Sequence, residues 1–295
     1  MTDLRDMQLL AALARHCHFA RAADECGISQ PAFSARIRNL ENELGTPIVK
    51  RGNRFMGFTD EGEIVLKWAR QLLADAEGMR QEIERAKGLL SGRLVIGTVP
   101  TAITYAARNL ERLREQHPGL VIEIHSASSS QIWRGLEEFS LDAGITYLEQ
   151  EIPKSLKTEV LYDERYVLLA PPELAPRVEG TVTWREAAGL PLCLLTKNMR
   201  NRRILNEVFE EVGVVPNLIM ETNALTAALA QVETGTAATI APEKLAASLP
   251  FSSGAVQLSL VEPEVAKPMC LAVVEREPAL PAILALAQAL SEQAR

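Results

Sequence analysis

A long proline-free segment is the feature that most limits how this chain can fold. Between Asp60 and Leu90 there is no proline, and apolar residues recur at steps of three and four. The stripe consists of Val65, Trp68, Leu72, Ala76, Met79, Ile83, Ala86 and Leu90. A heptad-like stripe is typical of helices that pair along their length, and a helix of about thirty residues spans roughly 45 Å.

This length predicts a helix that connects two domains and pairs with a second copy of the chain. Asp60 and Glu63 can form a capping box at its start. The alternative is a long helix that packs along its own domain, and the sequence leaves that alternative open.

Three short helices are predicted ahead of this segment. The first has apolar residues at helical spacing, namely Leu4, Met7, Leu10, Leu13 and Ala14. The second runs from about Phe19 to Glu25 and stops at Gly27. The third begins after Ser29, whose hydroxyl can cap it, and Pro31 fits its first turn because no backbone N–H is needed there. The second and third helices, joined by a short turn, have the dimensions of a helix-turn-helix.

The third predicted helix has one apolar face and one polar face. Its apolar residues step by four, three and four positions and are Phe33, Ile37, Leu40 and Leu44. The opposite face consists of Pro31, Ala35, Arg38 and Asn42, flanked by Ser34 and Asn39. Such a helix can bury one face against its domain and place the other in the major groove of DNA. We expect Gln30, Ser34 and Arg38 to contact base edges there.

A basic hairpin is predicted after the third helix. Two short apolar runs bracket a turn at Gly52 and Asn53, and Lys50, Arg51 and Arg54 surround that turn. The formal net charge of the whole chain is −7, yet between residues 28 and 59 cations outnumber anions. We therefore expect a wing that contacts DNA phosphates or the minor groove. The alternative is a solvated loop.

Strands and helices alternate after the long helix. The predicted strands are 94–98, 120–124, 142–145, 166–170, 192–195, 236–240 and 269–274, and the predicted helices are 102–116, 130–139, 202–212, 224–233 and 281–290. Strands that alternate with helices indicate a parallel sheet with right-handed crossovers. At the carboxyl ends of such strands, helix N-termini and hydroxyl side chains can bind small anions.

Several motifs near the N-terminus resemble the signature of LysR-type transcriptional regulators. They are Phe19-Ala20-Arg21-Ala22-Ala23, Ser29-Gln30-Pro31-Ala32-Phe33-Ser34, Leu40-Glu41 with Leu44-Gly45, and Thr59 with Gly62. The rest of the chain is similar to the family in length and layout. The resemblance implies an N-terminal winged helix-turn-helix, a long linker helix and a two-lobed α/β effector domain of the periplasmic-binding-protein-like type.

The resemblance also implies domain boundaries and partners. The winged helix-turn-helix would occupy residues 1–59, the linker helix 60–91 and the effector domain 92–295. Lobe I would comprise about 92–162 with 266–295, and lobe II about 163–265. The implied partners are double-stranded DNA with an approximately palindromic operator, a small-molecule effector between the lobes, further copies of the chain in a homodimer or homotetramer, and RNA polymerase. The helix N-termini and hydroxyls at the strand ends indicate that this effector is anionic.

The resemblance assigns DNA contacts to individual positions. The start of the recognition helix and the wing would contact DNA through Ser29, Gln30, Pro31, Ser34, Arg51 and Arg54. The chain departs from the family at Ala35 and Asn39, where a basic residue often stands, and Arg36 and Arg38 supply the charge instead. Operator preference therefore cannot be inferred from the family.

Hydroxyl side chains after two predicted strands mark the candidate effector site. They are Thr98 and Thr101 after the first strand and Ser128 and Ser129 after the second. The resemblance places Thr101 and Ser129 at recurrent effector-contact positions. The candidates in the second lobe are Thr196, Asn198 and Arg200. The alternatives are that the hydroxyls only cap helices and that Arg200 is solvated.

Other classes of protein are disfavoured by the sequence. No P-loop, Gly-x-Ser-x-Gly, His-Glu-x-x-His or dinucleotide-binding glycine motif is present, and the four histidines form no evident ligand set. We therefore expect no enzymatic activity, cofactor or metal. A secreted solute-binding protein would need a signal peptide, and a membrane protein about 18–20 consecutive apolar residues. Neither pattern is found, so we expect a cytoplasmic protein without membrane partners.

The cysteines offer one further alternative. Cys17, Cys26, Cys193 and Cys270 are far apart in the sequence and form no C-x-x-C motif. Idle thiols are the simplest interpretation in the cytoplasm. A redox sensor that uses Cys26 or Cys193 is the alternative.

Overall fold

The structure is a computed structural model that describes residues 3–50, 52, 55–88, 90–177, 180–248 and 254–291. The chain divides into two compact units, one of residues 1–92 with 138–140 and one of residues 93–137 with 141–295. Among the described residues no helix is both long enough and apolar enough to cross a membrane.

The first unit is built from the helices that the sequence predicts. They are α1 (Leu4–His16), α2 (Phe19–Glu25), α3 (Gln30–Leu44) and α4 (Asp60–Ala86). Helix α1 contacts the other three, and Leu10, Leu13 and Phe33 are fully buried in the shared core. Ser29 caps α3 by accepting the N–H of Ala32 at 3.4 Å. Gly45 ends α3 at a φ of 71°, a backbone conformation that favours glycine.

The start of α4 differs from the prediction. Thr59 caps the helix by accepting the N–H of Gly62 at 2.9 Å, so the predicted capping box of Asp60 and Glu63 is wrong. Thr59 is fixed as the cap because its own N–H donates to the carbonyl of Ile48 at 2.9 Å. Gly62 lies so close to that carbonyl that an added Cβ would be 2.0 Å from the oxygen.

Helix α4 exposes much of its apolar stripe. Leu66 and Ala69 are buried, whereas Trp68 is 59% and Met79 63% exposed. Leu72 and Ile83 are exposed as well. The helix ends at Ala86 rather than near residue 90. Because these side chains are exposed, the alternative of a stripe packed along its own domain is not favoured.

The remainder of the chain contains strands and short helices. The described strands are β1 (Ser91–Thr98), β2 (Gly119–Ser126), β3 (Ala143–Tyr147), β4 (Leu156–Ala170), β5 (Thr181–Thr183), β6 (Leu192–Leu195), β7 (Leu218–Thr222), β8 (Thr239–Pro242), β9 (Val256–Val261) and β10 (Ala266–Val274). The described helices are α5 (Ile103–Gln116), which follows a 3-10 turn at Pro100–Ala102, then α6 (Ser129–Glu137), α7 (Trp184–Ala188), α8 (Arg200–Glu211), α9 (Leu225–Glu233), α10 (Glu243–Ala246) and α11 (Pro281–Ser291).

The main sheet is mixed rather than parallel. Its strand order is β2-β1-β3-β10-β4-β9-β5, β8 also pairs with β4, and β6 pairs with β7 in a separate sheet. Strands β1 and β3 are parallel, but β10 is antiparallel to both β3 and β4. The expectation of an all-parallel sheet is therefore wrong, because β10 returns from late in the chain and inserts between β3 and β4 in the opposite direction.

Strand β4 belongs to both lobes of the second unit. It was predicted only at 166–170 but spans Leu156–Ala170. Its residues 156–165 pair with β10, and its residues 166–170 pair with β8 and β9. One continuous strand therefore carries the connection from lobe I to lobe II.

Candidate DNA interface and effector pocket

The outer face of α3 is accessible and its inner face is buried. Ser29, Gln30, Pro31 and Arg38 are exposed, and Ser34 is half-buried. Phe33, Ile37 and Leu40 are buried, but Leu44, which was predicted with them, is 41% exposed. Leu44 is the last residue of the helix and lies beyond the buried stripe.

Arg36 has partners inside its own unit, which the sequence analysis did not anticipate. Its guanidinium donates to Asp6 at 2.9 Å and to Asp3 at 3.1 Å. The hydrogen bond with Asp6, followed by the charges of Asp6 and Asp3, raises the pKa of Arg36. Arg36 therefore joins α3 to the start of α1.

Glu41 connects α3 to the wing. Its Oε1 accepts the backbone N–H of Ile48 at 2.8 Å and that of Val49 at 3.1 Å. Val49 forms a single antiparallel bridge with Phe58. The Glu41 carboxylate therefore helps to hold the start of the wing against α3, a role that the sequence analysis did not assign.

The basic tip of the wing is described only in part. Lys50 is exposed, and its backbone N–H donates to the carbonyl of Gly57 at 2.9 Å. Arg51 and Arg54, the other two predicted phosphate contacts, lie outside the described residues.

A small pocket lies in the second unit where the end of β1 meets the starts of α6 and α8. Its lining consists of Val99, Pro100, Thr101, Ser128, Ser129, Tyr147, Leu195, Met199, Arg200 and Asn201. Four of the predicted effector contacts are in this lining, namely Thr101, Ser128, Ser129 and Arg200. Residues from both lobes therefore meet around one space.

The other three predicted effector contacts do not line the pocket. Thr98 is fully buried and donates to the carbonyl of Val99 at 3.2 Å. Thr196 donates to the side chain of Asn198 at 2.7 Å. The side chains of Thr196 and Asn198 are therefore hydrogen-bonded to each other in the loop after β6.

Hydrogen bonds fix the polar groups of the pocket. Thr146 donates to the Ser129 hydroxyl at 2.9 Å. The Thr101 hydroxyl lies 3.2 Å from that of Tyr147, and the Asn201 amide donates to the same Tyr147 oxygen at 3.5 Å. Neither Tyr147 nor Asn201 was predicted as a site residue.

A buried carboxyl lies directly behind Tyr147. The Tyr147 hydroxyl donates to Oε1 of Glu164, and Glu164 is 1% exposed. Its other oxygen, Oε2, has no hydrogen-bond partner among the described residues. Burial raises the pKa of Glu164 to about 7, although the hydrogen bond from Tyr147 opposes this.

Arg200 is half-buried rather than solvated. Its guanidinium lies 3.6 Å from Glu149 and 2.7 Å from Glu207. Among the described residues that line the pocket, it is the only one with a cationic side chain. The alternative that Arg200 is a freely solvated cation is therefore not favoured.

Two family models together match almost the whole chain. The model described as "LysR substrate binding domain" matches residues 87–295. The model described as "Bacterial regulatory helix-turn-helix protein, lysR family" matches residues 4–63. This chain belongs to the LysR family.

Curated relatives of this LysR-family chain are transcriptional regulators. The DNA-binding transcriptional dual regulator OxyR of Escherichia coli (strain K12) is 34% identical over 167 residues, which cover 56% of this chain and 54% of OxyR. The chain thus spans about half the length of that relative. The HTH-type transcriptional regulator XapR of Escherichia coli (strain K12) is 28% identical, over 83% of this chain and 84% of XapR.

Solved structures of LysR-family proteins have the same fold. A full-length OxyR variant from Pseudomonas aeruginosa superposes with a TM-score of 0.78 at 22% identity, covering 99% of this chain and 98% of that one. Full-length CbnR in complex with its target DNA superposes with a TM-score of 0.72 at 19% identity, covering 100% of both chains. The predicted fold class is confirmed.

Proposed function

We propose that this LysR-family regulator binds an approximately palindromic operator as a homodimer or homotetramer, and that a small anionic effector modulates this binding. The observation that carries the proposal is the two-faced α3, with a polar side that is exposed over its first turns and an apolar side buried in the first unit. Contact with RNA polymerase and action in the cytoplasm belong to the same proposal.

We assign the contacts with DNA bases to the exposed side of α3. Gln30 and Arg38 are exposed, and Ser34 is half-buried beside them. Side chains of these types can donate to or accept from base edges in the major groove. Lys50 on the wing would contact phosphate, as would Arg51 and Arg54.

Dimer formation is assigned to α4. Trp68, Leu72, Met79 and Ile83 leave a row of apolar side chains exposed, and a second α4 would bury them. A two-fold dimer would present two copies of α3 to successive major grooves, which are about 34 Å apart.

Effector binding is assigned to the pocket between the lobes. Thr101, Ser128 and Ser129 supply hydroxyls next to the start of α6, and Arg200 supplies a guanidinium. Hydroxyls and N–H groups at a helix start bind carboxylates. A ligand that binds both lobes would favour one angle between them and, if that angle differs between states, would change operator binding.

Two measurements on the full-length protein test the proposal. Selection from random duplexes should yield an enriched sequence with two-fold symmetry, and a screen of small carboxylates should raise the melting temperature of the wild type. The double variant Thr101→Ala, Ser129→Ala should lose the melting shift and keep operator binding without ligand. Binding of all duplexes with equal affinity would contradict the proposal.

Sensing of an oxidant through a cysteine is the second candidate. Several relatives are named hydrogen peroxide-inducible genes activators. In this chain, however, burial raises the pKa of Cys26, of Cys193 and, to about 12, of Cys270. Raised pKa values keep thiols protonated and unreactive, so effector binding is favoured over thiol oxidation.

A further inference from the structure

Hydrogen bonds centred on Tyr147 join the two lobes. The Tyr147 oxygen lies 3.2 Å from the Thr101 hydroxyl in lobe I and 3.5 Å from the Asn201 amide nitrogen in lobe II. Its one proton is donated to Oε1 of Glu164. The space beside these groups has room for about one water molecule. The structure therefore shows the pocket in a narrow arrangement, which a ligand of several heavy atoms would have to widen.

Glu164 lies behind this network, where β4 passes from one lobe to the other. Its backbone is opposite Lys267 of β10, and two residues later Tyr166 is opposite Pro242 of β8. The Glu164 side chain is 1% exposed, and its Oε2 has no hydrogen-bond partner among the described residues. Because the groups around this carboxyl come from both lobes, a change in the angle between the lobes would alter how well it is shielded from water.

The surroundings of Glu164 favour the neutral acid over the carboxylate. A buried carboxylate is costly unless several donors or a counter-charge compensate it, and the hydroxyl of Tyr147 is the group that donates to it. The Tyr166 hydroxyl is close enough to affect the titration of Glu164, but it too has no hydrogen bond of ordinary geometry among the described residues. A protonated Glu164 could donate to that oxygen. Burial accordingly raises the pKa of Glu164 to about 7.

Glu164 is the group of its cluster that titrates near neutral pH. The titratable and charged groups around it come from β3, β4, β10 and α8 and are Tyr147, Tyr162, Tyr166, Lys267 and Arg200. Burial raises the pKa of all three tyrosines, which keeps them neutral. Lys267 shares a face of the sheet with Glu164, but the two side chains form no ion pair in the part of the chain that the structure describes. Tyr105 of α5 and Lys244 of α10 lie against Tyr162.

We propose that Glu164 makes the angle between the lobes depend on pH. While Glu164 is protonated, it favours the narrow pocket of this structure. When its O–H bond breaks and the proton passes to water or to a buffer base, the carboxylate favours a wider pocket in which water reaches Oε2. One consequence rests on the proposed function: an effector that binds the wider pocket binds less tightly in acid, because proton uptake closes its site.

Proton linkage gives the direction and the size of the effect. The pKa of Glu164 is about 7 in the narrow arrangement, and a carboxyl that water reaches ionises at its ordinary value of 4.5. Between these values the wide form has lost its proton while the narrow form keeps it, so a rise in pH favours the wide form. With these two pKa values the ratio of wide to narrow molecules rises about tenfold from about pH 6 to about pH 8.

Distances between two nitroxide labels measure the lobe angle in the full-length protein without effector or DNA. One label is attached at Arg108→Cys on α5 of lobe I and the other at Glu210→Cys on α8 of lobe II, both at exposed positions. Serine replaces Cys17 and Cys26, since Cys193 and Cys270 are buried. Pulsed double electron–electron resonance on labelled chains diluted with unlabelled ones should show the longer distance gaining about tenfold over the shorter from about pH 6 to about pH 8.

Three controls assign the change to Glu164. A label pair within lobe I, at Arg108→Cys and Glu137→Cys on exposed positions, should give the same distance at both pH values. In the interlobe pair, Glu164→Gln cannot ionise and should keep the shorter distance throughout. Glu159→Gln removes an exposed carboxyl from the same strand and should leave the pH response unchanged. A folded Glu164→Gln protein with the full pH response would overturn the role of Glu164.

Infrared spectra of the protein without substitution at Glu164 keep the test independent of how that variant folds. The C=O stretch of a protonated carboxyl should be present at about pH 6 and fade towards about pH 8, as the pKa of Glu164 requires. Absence of this band at the lower pH overturns the inference, as does an interlobe distance that stays constant while the band fades. Neither result touches operator selection or the carboxylate screen, so the proposed function is tested separately.

Discussion

The Oε1 atom of Glu41 lies 2.8 Å from the backbone nitrogen of Ile48, so a single carboxylate joins the recognition helix to the wing. The same oxygen also accepts the N–H of Val49 at 3.1 Å. The start of the wing, at Ile48 and Val49, is therefore held against α3 in the chain without DNA.

Glu41→Ala should destabilise the first unit and weaken DNA binding. The substitution leaves the two N–H groups at Ile48 and Val49 without their acceptor, which costs about 1–3 kcal/mol where the groups are buried. Urea unfolding measures the loss of stability, and binding to operator and random duplexes measures the loss of affinity. Asp24→Ala, an exposed change on α2, is the control. Unchanged unfolding of the Glu41 variant would contradict this role.

Arg38→Ala and Arg36→Ala should have different effects. Arg38 is exposed on the outer face of α3, so its removal should weaken operator binding by about 1–3 kcal/mol and random-duplex binding much less. Arg36 is paired with Asp6 and Asp3, so its removal should lower the melting temperature instead, by the equivalent of about 1 kcal/mol or less. An equal loss on both duplexes in the Arg38 variant would show that this residue contacts only phosphate.

Met79→Glu should disrupt the homodimer. Met79 is 63% exposed in the isolated chain, and a carboxylate at a paired helix face would be buried without a partner. Sedimentation velocity should therefore show smaller particles than in the wild type. Lys67→Glu places the same charge on another exposed face of α4 and should leave the assembly intact. Dissociation by both variants would point to a general charge effect.

Stability should fall as pH rises, and Glu164 should be responsible. The pKa of Glu164 is raised from 4.5 to about 7 in the folded protein. Between these values the unfolded chain ionises while the folded protein keeps its proton, so folding loses up to about 3 kcal/mol as pH rises through this window. Below pH 4.5 Glu164 is protonated in the folded and in the unfolded chain, so it does not make stability depend on pH. Above about pH 7 it is ionised in both, and the loss of stability does not grow further.

Denaturant unfolding between about pH 5 and pH 8 measures this loss. Glu164→Gln should remove most of the slope, and Glu159→Gln, on an exposed position of the same strand, should retain it. A Glu164→Gln profile parallel to that of the wild type would assign the slope to other groups.

The elements with local signals were predictable from the sequence. Ser29, the Phe33–Ile37–Leu40 stripe and Gly45 mark the limits and faces of α3, because each acts within one or two turns of the helix. Leu44 was wrongly predicted to be buried. The spacing of apolar residues along a helix does not show where the core that packs against the helix ends. The orientation of Arg36 depends on Asp3 and Asp6, which are distant in the sequence.

Two residues at the pocket, Tyr147 and Glu164, were not predicted because their positions depend on contacts between strands that are distant in the sequence. Tyr147 stands at the carboxyl end of β3, which is parallel to β1, so a search of strand ends would have found it. Glu164 had no such signal. It lies in Tyr162-Asp163-Glu164-Arg165, a polar run typical of an exposed turn, yet its side chain is buried beside Tyr147, which comes from another strand.

Strand β4 changes partners between Arg165 and Tyr166, from β10 to β8 and β9. Side chains alternate from one side of a strand to the other, so inserting or deleting a single residue near this junction would invert every later position of β4 relative to its neighbours. The fully buried run at 166–170 would then meet the wrong surfaces. The number of residues between the two ladders is thus as constrained as their identity, and length variation among homologues should avoid this point.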